Sequence, residues 1–165
     1  MSKFAAKLAL VFIAPLIFVA CYFFCISDPY HLSAPKDGNL INIFKKNEIV
    51  FSELRNMALQ EGEAIIIPKE RNSRIPAFRK DHYDQLLAKI GNPTLISGGE
   101  RIKWVYASGG ILTIGSEWTK GISFDLDCAE ENQRQSLDIF PAPAENTVYC
   151  RAIEGNWWVN VSIWI

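Results

Sequence analysis

With 165 residues, the chain has room for one ordinary domain and a short appendage. Its 17 lysines and arginines against 18 aspartates and glutamates leave a net charge of −1. That balance excludes the polycationic field that nucleic acid or an anionic lipid surface would demand.

Residues 1–7 carry Lys3 and Lys7 ahead of an uncharged run, Leu8 to Ile26, of nineteen residues: LALVFIAPLIFVACYFFCI. As a helix this run spans roughly 28 Å, about one hydrocarbon core. The basic residues precede it and Asp28 follows. The predicted topology is therefore single-pass in a bacterial inner membrane, with the N terminus cytoplasmic and the remainder periplasmic. The stretch FVAC, residues 18–21, offers an alternative. It matches a lipoprotein signal in which Cys21 is lipidated and the chain is lipid-anchored to the envelope. Phe18 departs from the usual leucine, and the run continues apolar after Cys21.

Residues 27–38, rich in proline and polar groups, read as a spacer. Residues 39–165 are expected to form a single domain. Everything beyond Ile26 carries all 18 acidic residues and 15 of the 17 basic ones, a net of −3.

Within the domain, Leu40, Ile41, Phe44, Phe51, Leu54, Met57 and Ala58 recur at helical spacing and predict one helix over 39–61. Asp37 or Asn39 is its cap and Gly62 its stop. Residues 64–67 read as a short buried strand, and 78–90 as a second helix. The period then changes. Strands are expected near 94–97, 101–107, 111–114 and 119–126, with a turn at Gly109–Gly110. Residues 128–136 read as a polar loop or helical turn. A closing hairpin joins 147–153 to 157–165 through Glu154, Gly155 and Asn156. In its last strand Trp157, Val159, Val161, Ile163 and Ile165 face the core, while Trp158, Asn160, Ser162 and Trp164 face the other way. The fold class implied is α+β: a membrane helix, then one or two helices packed on a mostly antiparallel sheet.

Chemistry is sparse. The histidines, His31 and His82, stand alone, and no HExxH, Cys/His cluster or calcium loop occurs, so no metal site is expected. The glycines lack phosphate-loop spacing, and neither Ser116 nor Ser123 sits in a nucleophile elbow. No catalytic residue and no cofactor is assigned, and the chain reads as a non-enzyme. No small-molecule substrate is evident. Cys128 and Cys150 are a disulfide candidate, or else two separate thiols. The partner-binding candidates are the basic group Lys69, Arg71, Arg74, Arg79 and Lys80, the acidic pair Asp125 and Asp127, and the tryptophans Trp158 and Trp164.

The stretches LINIFKKNEIVFSELRNMA (40–58), LLAKIG (86–91), TKGISF (119–124) and YCRAIEGNWWV (149–159) carry a resemblance. They resemble a loose group of small bacterial envelope proteins, membrane-anchored or lipoprotein in type. The shared motifs are packing signatures and carry over no catalytic residue. The resemblance implies an envelope location and, for part of the group, immunity against toxins delivered to the periplasm. The sequence-level reading is thus a membrane-tethered periplasmic protein that binds a protein partner and the inner membrane, with immunity as its sharpest form. An accessory subunit of an envelope complex, or an enzyme with an unrecognised site, are the alternatives.

Overall fold

The computed structural model describes residues 33–62, 64–67, 75–98, 100–111, 116–139 and 146–164. The expected membrane segment 8–26, with Cys21, lies outside them, as do Lys69, Arg71 and Arg74. Among the described residues three helices, α1 (Asp37–Lys46), α2 (Glu48–Glu61) and α3 (Ala77–Lys89), accompany six strands. These are β1 (Ile65–Ile67), β2 (Thr94–Gly98), β3 (Arg101–Ile111), β4 (Ser116–Phe124), β5 (Val148–Glu154) and β6 (Trp157–Trp164). The strands form one antiparallel sheet in the order β1-β2-β3-β4-β6-β5.

Among the described residues the fold is therefore α+β with no membrane helix, and the membrane expectation is corrected on that finding. No helix among the described residues is long and apolar enough to cross a membrane. The longest, α2, has 14 residues, about 21 Å against a hydrocarbon core of about 30 Å, and it is charged on one side. Single-pass topology, periplasmic placement and the inner membrane as partner are not carried further. The same holds for the tethered-binding, immunity and envelope-accessory roles built on them.

The helix expected over 39–61 is two helices. Asn47 breaks it at φ −130°, ψ 26°, and its side-chain amide donates to the Ile43 carbonyl at 2.9 Å. Phe44 and Phe51, on either side of the break, both turn inward, ring centroids 5.4 Å apart. Trp157 meets Phe44 at 4.9 Å and Trp104 at 5.4 Å, and Phe51 meets Trp104 edge-on at 5.2 Å. This aromatic cluster joins α1 and α2 to the centre of the sheet. Gly62 ends α2 in the left-handed region, as its position predicted.

The turn expected at Gly109–Gly110 is absent, because β3 runs straight through both residues. Gly109 is needed for approach instead: a Cβ there would stand 2.9 Å from the Trp118 indole. Gly121 is tighter still. The β3–β4 register shifts between Val105 and Ala107, and a Cβ on Gly121 would fall on the Trp104 carbonyl oxygen.

Asp37 was expected to cap the first helix. It is instead the centre of a buried ion cluster. Its carboxylate pairs with Lys120 Nζ of β4 at 2.8 Å and with Arg151 of β5 at 3.2 Å, and accepts from the Leu137 N–H at 2.7 Å. Asp37 and Lys120 are both fully buried. Asp138 does the capping, accepting from the Asp37 N–H at 2.6 Å. Burial alone would raise the Asp37 carboxyl. The Leu137 N–H, the Lys120 ammonium and the Arg151 guanidinium outweigh it and hold the group below the usual carboxylate range.

Two outcomes follow. Asp37→Asn takes from Arg151 the carboxylate it pairs with and leaves Lys120 with the longer Asp138 contact, and should cost about 3–5 kcal/mol in urea unfolding. Gly121→Ala, which must displace backbone, should cost about 3 kcal/mol by the same measurement, whereas Gly38→Ala, with open space around it, should not.

Candidate ligand-binding site

The helices cover one face of the sheet. The opposite face carries Ile96, Lys103, Thr119, Ser123, Asn160, Ser162 and Trp164, placed there by strand alternation and register. Thr119 pairs with Ser162 and Gly121 with Asn160 across β4 and β6. Gly121 presents no side chain, so the long stem of Lys103 can cross that position. Its Nζ donates to Thr119 Oγ1 and to Ser162 Oγ, both at 2.7 Å. The Asn160 amide completes the set with its oxygen toward the ammonium, accepting at 3.0 Å. Its nitrogen then donates to the Gly121 carbonyl at 3.2 Å and to Ser123 Oγ at 2.9 Å. Asn160 and Ser162 are 1% and 4% exposed, so these oxygens are fixed rather than solvated.

Lys103 and Lys120 make the informative contrast. They stand on adjacent strands and point to opposite faces. Lys120 meets Asp37 at 2.8 Å and Asp138 at 3.4 Å, so its charge is compensated. Among the described residues no carboxylate lies within ion-pair distance of Lys103. Three neutral oxygens hold its protons, and none of its contacts among the described residues neutralises its charge. Burial accordingly brings its ammonium down to about pKa 7. The Trp164 ring, 46% exposed, lies 5.5 Å from Nζ and adds a weak cation–π attraction.

Beside Lys103 is an open cavity of about 300 Å³. Ile96 and Leu126 make it apolar, Ser123, Asn160 and Ser162 add polar atoms, and Arg101 is the other charged side chain lining it. Its size is at the lower end for a small-molecule site.

The residues singled out from sequence fall in several places. Trp164 joins this face, and Trp158 is half-buried on it at Ser123. Asp125 and Asp127 line an adjoining polar hollow with Glu100 and Arg101. Asp125 has φ +53° and accepts from the Asn156 amide at 3.2 Å, a turn contact, while Asp127 is exposed. Arg79 is tied to Glu61 at 2.9 Å, and Lys80 is exposed on α3. Cys128 and Cys150 are joined as a disulfide. His82, read as part of a solvated helix face, meets Glu53 at 2.9 Å across a groove between α2 and α3. No group of metal-ligating side chains occurs among the described residues.

Lys103 was missed. In sequence it is one polar residue in an alternating strand, and such residues are ordinarily solvated. The available signal was the polar phase Asn160 and Ser162 in an otherwise apolar terminal strand. Comparison with family models, curated proteins and solved structures finds no match. The resemblance to envelope proteins therefore rests on the sequence motifs alone.

Between pH 7 and 10.5 the unfolded chain keeps a Lys103 proton that the folded chain has released. Wild-type stability should therefore rise with pH through that window, by at most about 1.4 kcal/mol per unit. Lys103→Met removes the uncompensated charge. It should equal or exceed wild type in urea unfolding at pH 6 and lose that advantage by pH 9. Equal destabilisation at both pH values would mean that Nζ acts only as a structural tie.

Proposed function

We propose that this domain binds a small organic anion on the outer face of its sheet, paired with Lys103. One observation carries the reading: an ammonium whose contacts among the described residues are neutral oxygens and an indole, on the wall of an open cavity. Charges withdrawn from water are ordinarily paired, and the chain pairs Lys120 in full. An arriving carboxylate supplies what Lys103 lacks. It takes the place of the Asn160 oxygen, the longest of the three contacts at 3.0 Å. The amide then turns to present its nitrogen, and Ser123 and Ser162 offer hydroxyl donors. Ile96 and Leu126 select an apolar body, and Arg101, exposed and only loosely paired with Asp127 at 3.9 Å, stands at the rim.

The role is binding rather than catalysis. Ser162, the hydroxyl close to Nζ that lines the cavity, is only 4% exposed, so it has little room to attack a substrate.

Trp164 is close enough to Nζ to report occupancy by fluorescence. Titration with benzoate at pH 6 should saturate with wild type and weaken about tenfold or more in Lys103→Met. Wild-type affinity should fall as pH rises through about 7, where the amine loses its proton. The reading fails if benzoate binds both proteins equally. It fails also if neither benzoate, butyrate nor inorganic phosphate binds wild type.

A further inference from the structure

The Lys103 site shares a wall with the disulfide. Cys150 is fully buried on β5 and stands opposite Asn160 in the β5–β6 register, so it flanks the residue whose oxygen faces Nζ. Cys128 is partly exposed and lies two residues beyond Leu126, a wall of the cavity. Both ends of the disulfide therefore bear on the site, one through the sheet and one through the strap that follows β4.

That strap is fixed at three other places. At its start the Asp125 N–H donates to the Asn156 carbonyl at 3.0 Å. Further on, Gln133 bridges to Cys150, the Arg134 N–H donates to the Cys150 carbonyl at 2.8 Å, and the Arg134 guanidinium lies 5.0 Å from the Tyr149 ring. At its end Leu137 is fully buried and Asp138 belongs to the ion cluster. Between Asp125 and Gln133 the disulfide is the one covalent tie. The hydrogen bonds within this stretch are local to its own turn, the Asn132 N–H to the Ala129 carbonyl at 2.9 Å and the Gln133 N–H to the Glu130 carbonyl at 3.1 Å, and its one ion pair with the sheet among the described residues is the exposed, long Asp127–Arg101 contact at 3.9 Å. Cutting the disulfide thus loosens a short piece of strap and leaves the core anchors in place.

We propose that the Cys128–Cys150 disulfide gates the Lys103 cavity. Bonded, it holds Leu126 against the sheet and walls the cavity. As two thiols, it releases residues 126–132 and admits water to the ammonium. The reaction is thiol–disulfide exchange with a dithiol reductant. A dithiol thiolate attacks Cys128 Sγ, the more exposed sulfur, and Cys150 leaves as a thiolate that takes a proton. The second thiol of the reductant then displaces Cys128. Two electrons and two protons pass to the protein, and the reductant closes to a cyclic disulfide. The consequence for ligand rests on the anion-binding reading; the opening of the wall does not.

The test uses the full chain, oxidised or reduced with dithiothreitol, with far-UV circular dichroism to show that the fold persists. Lys103 is followed by ¹³Cε NMR in the ligand-free protein, assigned with Lys103→Met. On reduction its titration midpoint should climb from about 7 by about one unit or more, as water relieves its desolvation. Benzoate affinity should drop about tenfold. Leu126→Ala with the disulfide intact should reproduce both changes. An unmoved midpoint in the reduced protein overturns the gate. If reduction unfolds the chain, an unmoved midpoint in Leu126→Ala overturns it instead. A midpoint that moves while the oxidised protein fails to bind benzoate sustains the gate and sinks the anion reading.

Discussion

Asp37, the first residue of α1, has no exposure to water, and three segments remote in sequence converge on it: Lys120 in the middle of β4, Arg151 in β5 and the Leu137–Asp138 turn. Two carboxylates and two cations make the cluster neutral as a whole, which makes its burial tolerable. Its geometry fixes where α1 starts, since Asp138 accepts the first helical N–H. It also draws the strap after β4 under the sheet, since Leu137 gives its carbonyl to Lys120 at 2.9 Å. The aromatic cluster of Phe44, Phe51, Trp104 and Trp157 then has a helix pair held in one position over β3 and β6.

The same sheet carries a second lysine in the opposite electrostatic condition. Lys120 faces the helices and is saturated by carboxylates; Lys103 faces away and is met by hydroxyls, an amide and an indole. The fold pairs one buried cation completely, while its neighbour meets no carboxylate among the described residues and stands beside a cavity. The disulfide and strap bring a wall to that cavity from outside the sheet, so the site is assembled from the sheet face, β2 and the chain after β4.

Parts of this were legible in the residues. Helical spacing located Leu40, Phe44, Phe51 and Leu54, all fully buried, and alternation placed Trp157, Val159, Val161 and Ile163 on the core face. The hairpin around Gly155 and the stop at Gly62 followed from turn chemistry. Other features were not. Asn47 looks like a surface residue of one long helix, because periodicity alone is blind to a one-residue break that preserves the apolar side. Gly109 and Gly110 read as a turn because a glycine made necessary by a neighbouring indole looks, in sequence, like one made necessary by φ. Asp37 passed for a cap, since its true partners lie about a hundred residues away.

By itself, the sequence determined the residue types on each face of each element, because those follow from periods of 3.6 and 2 and from local backbone preference. Its near-zero net charge likewise determined that the chain carries no large excess of either sign. Only the tertiary structure decided which charges are compensated. Compensation depends on distances of 2.7 to 4 Å between residues on different strands, and strand order and register set those distances. Lys103 and Lys120 are alike in sequence, each a basic residue in an alternating strand. Packing paired one with acids and left the other facing neutral oxygens and a cavity.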